Sequence, residues 1–257
     1  MKNTILHSKT KEKISSLKKR IGKTPLLKIK LKYKNKPLVI WAKFEALNFT
    51  GSIKDRMAIH IIEKAYKKNA IDPNSIITEA TSGNTGIAFA GIGKKLGHKV
   101  KIYMPDWMSP ERIARMESYG AEIIPVSRED GGFLGSISLT EKYAEKEKNI
   151  FLPKQFSNQA NVEAHYLTTG PEILDQMNKA GTPPTGFVAG VGTGGTVMGV
   201  GKYLSENIKG ISINPLEPAN SPTLTTGEKN GHHRIQGISD EFIPEIVDLK
   251  WLNQIIN

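Results

Sequence analysis

Hydroxyl and amide side chains are concentrated in the stretch Thr81-Ser82-Gly83-Asn84-Thr85-Gly86, between a predicted strand at Ser75–Ala80 and a predicted helix at Ile87–Leu96. The first backbone N–H groups of a helix have no internal partner, and the helix dipole adds partial positive charge there. Together with the hydroxyls, these N–H groups can surround a small anion, and glycines allow a close backbone approach. The stretch is therefore suited to a carboxylate or a phosphate. The simpler interpretation is an ordinary N-cap formed by Ser82 or Asn84.

A second candidate is the glycine-rich loop Gly190-Val191-Gly192-Thr193-Gly194-Gly195-Thr196. Gly190, Gly192 and Gly195 match the dinucleotide-binding fingerprint, and Glu217 follows the next predicted strand, where a ribose-binding acid could lie. The same loop can also hold a single phosphate at a helix start. Simple tight packing of the helix on the strand is the third interpretation. The loop alone does not separate these three.

Lys54 lies in the polar turn Asn48–Arg56, directly before a predicted helix at Met57–Lys68. A lysine in such a turn is normally solvated, whereas a buried lysine has a lowered pKa and becomes an amine nucleophile. The sequence predicts no metal site, because four of its histidines have no metal-ligand spacing: His98, His165, His232 and His233.

The composition excludes several classes of site and protein. The chain has 257 residues, of which 38% are apolar and 24% are charged, as in a soluble globular protein. It contains no cysteine, which excludes disulfides, thiolate metal sites and cysteine nucleophiles and fits a cytoplasmic protein. No apolar run approaches the roughly 18 residues that a membrane span needs.

The chain is basic, with a formal net charge of +11 from 36 Lys and Arg against 25 Asp and Glu. A basic surface can bind nucleic acid. However, the lysines are spread along the chain, and only Lys18-Lys19-Arg20 and Lys67-Lys68 are locally dense. We therefore expect a small-molecule partner and no nucleic-acid function.

Strands and helices alternate along most of the chain, which predicts an α/β fold with a mainly parallel sheet and helices on both faces. A solvated helix is predicted at Lys11–Ile21, and a helix at Asn161–Asn178 should be interrupted at Gly170-Pro171, because proline cannot continue the hydrogen-bond ladder. The other predicted strands are Leu26–Leu31, Leu38–Phe44, Lys99–Met104, Ala121–Val126, Ile150–Gln155, Phe187–Ala189 and Ile211–Leu216, and the other predicted helices are Pro110–Gly120, Phe133–Lys148 and Val197–Asn207.

Three loops occur in a specific order: Gly51–Arg56, then Thr81–Gly86, then Gly192–Thr196. In this order they strongly resemble the cysteine synthase (O-acetylserine sulfhydrylase) and cystathionine β-synthase family of pyridoxal-phosphate enzymes. The resemblance extends from about Ile21 to the C-terminus, and further matching stretches are Ile21–Leu26, Thr168–Ile173 and Gly237-Ile238 with Phe242-Ile243-Pro244.

The resemblance implies roles for individual residues. Lys54 is implied to form the Schiff base with pyridoxal 5'-phosphate and, once displaced by the substrate's amine, to remove the Cα proton. Asn84 is implied to contact the ring hydroxyl of the cofactor, and Gly237 to lie against the cofactor. The implied phosphate site consists of Gly192, Thr193, Gly194, Gly195 and Thr196, and the implied substrate-carboxylate site consists of Thr81, Ser82, Gly83, Thr85 and Gln155.

The resemblance also implies a two-lobed fold type II architecture, similar to the tryptophan synthase β subunit. The large lobe, residues 1–44 and 159–257, would hold the cofactor phosphate, and the small mobile lobe, residues 45–158, would close over the substrate carboxylate. A cytoplasmic homodimer is implied. Family members continue beyond the position of Asn257 with a segment that closes the large lobe and places a hydroxyl opposite the pyridine nitrogen. We therefore expect a fold truncated at the C-terminus, and no residue here is assigned that role.

One departure from the family bears on the reaction. The family usually has Gly-Ile-Gly before its Phe-Ile-Pro stretch, whereas this chain has Gly237-Ile238-Ser239-Asp240-Glu241-Phe242. A carboxylate at this entrance could activate water or protonate a poor leaving group such as hydroxide or hydrosulfide. Asp240 therefore shifts the expected substrate from O-acetylserine toward serine or cysteine. The alternative is that Asp240 only caps a turn.

The expected function is β-replacement or β-elimination on a three-carbon amino acid. One version makes cysteine from O-acetylserine and sulfide, and the other releases hydrogen sulfide from cysteine and leaves serine or the thioether lanthionine. Two alternatives remain. The first is an NAD(P)-dependent oxidoreductase that uses Gly190, Gly192 and Gly195, and the second is a catalytically inactive family member, suggested by the early end of the chain.

Overall fold

A computed structural model describes residues 2–228 and 231–257 of the chain. The strands are β1 (Leu26–Tyr33), β2 (Lys36–Lys43), β3 (Ile76–Ala80), β4 (Val100–Pro105), β5 (Glu122–Val126), β6 (Ile150–Phe151), β7 (Gly186–Gly190) and β8 (Ser212–Leu216). The helices are α1 (Lys2–Lys18), α2 (Lys54–Lys67), α3 (Asn84–Leu96), α4 (Pro110–Ser118), α5 (Gly132–Lys146), α6 (Gln159–Ala164), α7 (Gly170–Lys179), α8 (Gly195–Asn207) and α9 (Thr223–Thr226).

The strands form one larger and two smaller sheets. Four parallel strands are ordered β5-β4-β3-β6, β7 pairs in parallel with β8, and β1 pairs with β2 as an antiparallel hairpin. The predicted α/β fold with mainly parallel strands is confirmed. Parallel strands present their carboxyl ends at one edge of a sheet, so the residues that follow β3 are placed where such folds bind ligands.

Two apolar cores support these sheets. The first contains the fully buried side chains Phe89, Ile77 and Ile102, and it includes Ile14 and Leu17 of α1. The second packs α7 and α8 on β7 and β8 around residues such as Leu204. Burying a large apolar side chain contributes roughly 1.5–3 kcal/mol. The predicted lobe boundaries stay a prediction.

Several helices begin earlier than the sequence pattern indicates, among them α1 at Lys2 rather than Lys11 and α8 at Gly195 rather than Val197. α2 starts at Lys54 rather than Met57, and α3 starts at Asn84 rather than Ile87. The polar residues at these starts break the apolar periodicity that marks a helix, although they have helical backbone. The changes at α2 and α3 move candidate site residues from a turn onto the first turn of a helix.

The expected interruption at Gly170-Pro171 is wrong. The chain stays helical from α6 through a π-helical turn at His165–Thr169 into α7, where Pro171 lies in the first turn. A proline in the first turn of a helix costs little, because its missing N–H would have no helical partner there. Among the helices of the described residues, none is long and apolar enough to cross a membrane.

Candidate active site

A pocket lies where α2, the β3–α3 turn and the loop before α8 meet. The structure brings ten of the predicted site residues to its wall. They are Lys54, Thr81, Ser82, Gly83, Asn84, Thr85, Gln155, Thr193, Gly237 and Asp240. The other predicted residues, Gly192, Gly194, Gly195 and Thr196, flank Thr193 in the same loop and at the start of α8.

Lys54 is the first residue of α2, and its backbone N–H donates to the Ser52 hydroxyl at 3.2 Å. Burial lowers the pKa of the Lys54 amine, and the negative charge of Asp240 opposes that change. A buried lysine with a lowered pKa supplies a larger fraction of neutral amine near neutral pH, which is the reactive form.

The start of α2 is fixed by the two residues that follow Lys54. The Asp55 carboxylate accepts from the Thr50 N–H at 2.5 Å and from the Thr50 hydroxyl, and burial raises the pKa of Asp55 to about 6. Arg56 donates to the carboxylates of Glu45 and Glu172. These buried contacts hold the helix that carries the amine.

The β3–α3 turn is not closed by a side-chain cap. Gly83 is the N-cap of α3 and makes no side-chain capping hydrogen bond, so the expected cap by Ser82 or Asn84 is wrong. The Thr81 hydroxyl oxygen accepts from the Gly83 N–H at 3.1 Å, which leaves its own O–H able to donate. A helix start without a cap is suited to an anion.

Gln155 ties this turn to the segment after β6. Its side-chain amide donates to the Ala80 carbonyl at 2.8 Å, and its oxygen accepts from the Thr85 hydroxyl at 2.6 Å. The Thr85 hydroxyl proton is therefore directed at Gln155 and not at the pocket. One N–H of the Gln155 amide is left for a ligand.

Glu79 lies beneath the turn and was not predicted as part of the site. Its carboxyl oxygens accept from the backbone N–H of Ala80 at 3.0 Å and of Gln155 at 3.2 Å. Burial raises the pKa of Glu79 to about 8, although these hydrogen bonds lower it. At neutral pH a protonated Glu79 supports the turn without adding negative charge.

The glycine loop leaves room for an approaching group. A Cβ on Gly192 would lie 2.3 Å from the Gly237 carbonyl oxygen, so the two loops meet more closely than any side chain allows. Gly194, with φ +86°, is the N-cap of α8 and gives no side-chain cap. The Thr193 hydroxyl accepts from the Asn161 amide at 2.9 Å, which leaves its O–H able to donate.

This donor set fits the phosphate of pyridoxal phosphate. It combines backbone N–H groups at an uncapped helix start with a Thr193 hydroxyl aimed by a buried amide. The pocket wall adds a buried amine at Lys54 and the side chain of Asn84. The two ends of the cofactor therefore each meet groups of suitable chemistry.

The dinucleotide interpretation of this loop is disfavoured. Glu217 is buried, and its carboxylate accepts from the Leu224 N–H at 2.6 Å and the Thr225 hydroxyl at 2.5 Å. Both oxygens therefore hold the start of α9 and not a ribose. A Cβ on Gly190 would lie 2.9 Å from the Ile238 side chain, so this glycine is needed for packing.

The residue before Asp240 has a left-handed backbone conformation. Ser239 is buried with φ +56°, its N–H donates to the Val191 carbonyl at 2.8 Å, and its hydroxyl donates to the Ser221 carbonyl at 2.7 Å. A left-handed backbone at a non-glycine residue costs of the order of 1 kcal/mol and is often found at functional sites. These contacts place Asp240 on the pocket wall near Lys54.

Two aromatic residues on the wall were missed from the sequence. Phe133 and Phe156 pack edge to face with ring centroids 5.8 Å apart, and Phe156 packs on Phe242 at 5.0 Å. Phe156 follows Gln155 directly, and this adjacency is the one sequence signal that could have indicated it. These rings make this part of the pocket wall apolar.

Among the described residues, no cluster of three or more metal-ligating side chains could hold an ion. His165 is buried between the Thr169 hydroxyl at 2.9 Å and the Thr196 hydroxyl at 3.5 Å. Burial and the charges of Arg56 and Lys54 lower its pKa to about 3, so its ring is neutral.

Comparison with known proteins identifies relatives over most of the chain. Residues 17–256 match the model of the family described as pyridoxal-phosphate dependent enzyme. A probable cysteine synthase from Bacillus subtilis is 40% identical over 236 residues, which are 92% of this chain and 75% of the relative.

Solved structures give the same relationship. A hydrogen sulfide-producing enzyme from Fusobacterium nucleatum is 53% identical, with a TM-score of 0.93 over 96% of this chain and 74% of that one. An O-acetylserine-dependent cystathionine β-synthase from Helicobacter pylori is 36% identical, with a TM-score of 0.83 over 93% of this chain and 77% of that one.

The chain spans about three quarters of the length of these relatives. The resemblance predicted from the three loops is confirmed, and the two-lobed fold type II class agrees with the solved neighbours. Because the family match covers nearly the whole chain, this protein belongs to the family of pyridoxal-phosphate-dependent enzymes.

Proposed function

We propose that this chain catalyses pyridoxal-phosphate-dependent β-replacement or β-elimination on a three-carbon amino acid of cysteine metabolism. The observation that carries the proposal is one pocket faced by the Lys54 amine, the hydroxyl-rich β3–α3 turn and the Asp240 carboxylate. The relatives' names, cysteine synthase and hydrogen sulfide-producing enzyme, support the two directions of this chemistry. One makes cysteine from O-acetylserine and sulfide, and the other releases hydrogen sulfide from cysteine.

The cofactor would be held at both ends. Gly192, Thr193, Gly194, Gly195 and Thr196 would bind its phosphate through backbone N–H groups and hydroxyls at the start of α8. Lys54 would bind it covalently, Asn84 would contact its ring hydroxyl and Gly237 would lie against it. Pyridoxal phosphate, when bound, supplies the electron sink that makes the Cα–H bond of an amino acid acidic.

The protein residues would orient the substrate and move its protons. Thr81, Ser82, Gly83 and the Gln155 amide would hold the substrate carboxylate, with Thr85 fixing Gln155. This orientation directs the Cα–H bond toward Lys54. The amine, whose pKa is lowered by burial, then accepts the Cα proton.

Asp240 would act on the β-substituent. As an acid it would give a proton to the sulfur or oxygen that leaves Cβ, and as a base it would take a proton from the water or thiol that adds. Hydrosulfide and hydroxide are poor leaving groups and need that proton, whereas acetate leaves without one. This role favours cysteine or serine over O-acetylserine as the substrate.

An Asp240→Asn variant tests the role. We expect turnover of cysteine and serine to fall by about a hundredfold, in the range of general acid catalysis, while O-acetylserine turnover falls much less. The measurements are sulfide released from cysteine and sulfide consumed with serine or with O-acetylserine. An equal loss with all three substrates would show that Asp240 only supports the loop.

The covalent role of Lys54 is tested by absorbance. Purified protein with added pyridoxal phosphate should show a visible band that hydroxylamine removes, and borohydride should fix the cofactor on the peptide that contains Lys54. Lys54→Ala should abolish both signals. Fluorescence of a bound reduced nicotinamide would support the oxidoreductase alternative, and neither signal would support an inactive binding protein.

We further propose a cytoplasmic homodimer with a large lobe of residues 1–44 and 159–257 and a small mobile lobe of residues 45–158. The family resemblance supports this arrangement. Large apolar side chains exposed on β1 and β2, such as Ile29 and Ile40, support a contact with another protein surface. Light scattering coupled to gel filtration measures the number of subunits directly.

A further inference from the structure

Arg112 of α4 lies across the rim of the pocket. Its Nη1 donates to the Ser82 carbonyl at 2.9 Å, and its Nη2 donates to the Gln236 side-chain oxygen. Ser82 lines the pocket, and Gln236 directly precedes Gly237, which also lines it. The guanidinium therefore bridges the β3–α3 turn and the loop that carries Asp240.

The backbone at the rim leaves space for the Arg112 side chain. A Cβ on Gly83 would lie 3.1–3.2 Å from the Nε, Cδ and Cζ atoms of Arg112. That is tighter than an ordinary carbon contact, so the absence of a side chain at Gly83 leaves space for the guanidinium over the turn. The position of Arg112 is thus a built feature of the pocket entrance.

Among the residues that the structure describes, the positive charge of Arg112 has no anionic partner. Its hydrogen-bond acceptors are a backbone carbonyl, a neutral amide and, at 3.9 Å, the sulfur of Met108, and no ion pair involves it within residues 2–228 and 231–257. Burial lowers the pKa of Arg112, with no opposing carboxylate. In contrast, Arg56 pairs with two carboxylates. A partly buried cation without an anion is costly, and the arginine fork best matches a carboxylate.

The first substrate does not need this charge. Its carboxylate has the uncapped start of α3 and the hydroxyls of the turn, as argued above. A second substrate that enters past Asp240 and carries an anionic group would be repelled by the Asp240 carboxylate, because both charges are negative. A cation at the rim offsets that repulsion.

We propose that Arg112 receives the carboxylate of a second, thiol-bearing substrate, so that the preferred β-replacement product is a thioether amino acid. The inference rests on the proposed function and names its nucleophile. With cysteine as the first substrate, the Cβ–S bond breaks and a new bond forms from Cβ to the sulfur of the thiol. The thiol proton is released, and the departing sulfur takes up a proton to leave as hydrogen sulfide. No oxidant or reductant is needed.

Two thiols of similar size test the proposal. Mercaptoacetate carries a carboxylate where 2-mercaptoethanol carries a hydroxyl. Both are offered to the cofactor-loaded enzyme with serine as the saturating first substrate, because cysteine is itself a thiol with a carboxylate and would compete for the same subsite. We expect Arg112→Gln to lower the ratio of kcat/KM for mercaptoacetate to that for 2-mercaptoethanol by about tenfold or more, chiefly through KM. A hydrogen bond to a charged group accounts for an effect of this size. The intrinsic reactivity of each thiol cancels when two enzymes are compared.

Arg128→Gln is the matched control, because Arg128 is exposed and stacks on Trp107 away from the pocket wall. It removes the same charge from the protein and should leave the ratio unchanged. If Arg112→Gln does not fold, Arg112→Lys carries the test. Lysine keeps the charge without the paired donors, and it should lower the ratio severalfold.

The outcomes separate the two proposals. A wild-type enzyme that neither releases sulfide from cysteine nor consumes sulfide with O-acetylserine contradicts the proposed function itself. A wild-type enzyme that does either but uses neither test thiol overturns the inference alone. Normal turnover with the same ratio in wild type and the Arg112 variant overturns the inference alone. A thioether product found by mass spectrometry from mercaptoacetate, and reduced in the variant relative to that from 2-mercaptoethanol, supports it.

Discussion

The charge state of a few buried groups decides what the pocket can do at the scale of single residues. Lys54 has a lowered pKa because it is buried, and Asp240 keeps that change from becoming larger. Glu79 has a raised pKa of about 8 for the same reason. A protonated Glu79 would let the neighbouring turn hold a substrate carboxylate without a competing negative charge close by.

Glu79 makes stability depend on pH. Its pKa in the folded protein, about 8, lies above the ordinary value of 4.5, so the unfolded chain releases this proton first. Stability is therefore lost as the pH rises from about 4.5 to about 8. Glu79→Gln keeps an acceptor for the neighbouring N–H groups and should remove this loss, by up to roughly 5 kcal/mol, because a pKa difference of one corresponds to about 1.4 kcal/mol.

The measurement is the thermal midpoint of both proteins from pH 5 to pH 8. The advantage of the Glu79→Gln variant should grow with pH across this range. Glu147→Gln, at an exposed position, is the matched control and should follow the wild type. Parallel curves for wild type and Glu79→Gln would contradict a buried, protonated Glu79.

The site is built from the starts of helices, and these starts have no side-chain capping hydrogen bond. Gly83 and Gly194 occupy the N-cap positions of α3 and α8 and leave the first N–H groups available. The close approach of Gly192 to Gly237 then brings the glycine loop and the loop that carries Asp240 together. The geometry of the site therefore depends on how closely these two loops pack against each other.

A Gly192→Ala variant tests this close contact between the two loops. The new Cβ would lie 2.3 Å from the Gly237 carbonyl oxygen, so one loop must shift by about 1 Å to restore ordinary contact. We expect the affinity for pyridoxal phosphate to fall at least tenfold. Gly186→Ala in β7 is the control, since its Cβ would meet its nearest neighbour, the Ser212 carbonyl oxygen, at an ordinary 3.6 Å. Equal dissociation constants in an absorbance titration would show that the close contact is dispensable.

The sequence predicted the elements and most of the site, because both depend on local patterns. Apolar periodicity located the strands and helices, and the three loops located Lys54 and the two glycine-containing turns that lie at the pocket. Contacts between distant segments carry no such pattern. Arg112 reaches Gln236 across 124 positions, and Glu79 reaches Gln155 across 76. The predicted helix interruption at Gly170-Pro171 was wrong, because the chain stays helical through a π-helical turn and Pro171 lies in the first turn of α7.

On the scale of the whole molecule, one ion cluster joins the two cores. Arg56 belongs to α2 of the first core and Glu172 to α7, which packs in the second. Lys43 of β2 also pairs with Glu172 at 2.8 Å, and the Arg56 side chain is 1% exposed. Arg56 lies two positions after Lys54, so the contact that joins the cores also anchors the start of the helix that carries Lys54.

Glu172→Gln should therefore weaken the whole fold. Burial alone would raise the pKa of Glu172, but hydrogen bonds from Arg56 and Lys43 lower it to about 2, from an ordinary value of 4.5. The carboxylate contributes stability above about 4.5, and this contribution is lost as the pH falls toward 2. Removing one partner of a buried ion pair costs about 3–5 kcal/mol, so the urea midpoint at pH 7 should drop clearly.

The control for this variant lies on the same helix. Asp175 of α7 pairs with Lys179 at 2.7 Å, but both side chains are more than half exposed, and such pairs contribute at most about 1 kcal/mol. Asp175→Asn removes the same charge and should barely move the midpoint. The gap between wild type and Glu172→Gln should also narrow as the pH is lowered from 5 toward 2, because the wild-type carboxyl is then protonated too. A gap that stays constant, or one that the Asp175 variant reproduces, would mean that the two cores are held together by apolar packing rather than by this cluster.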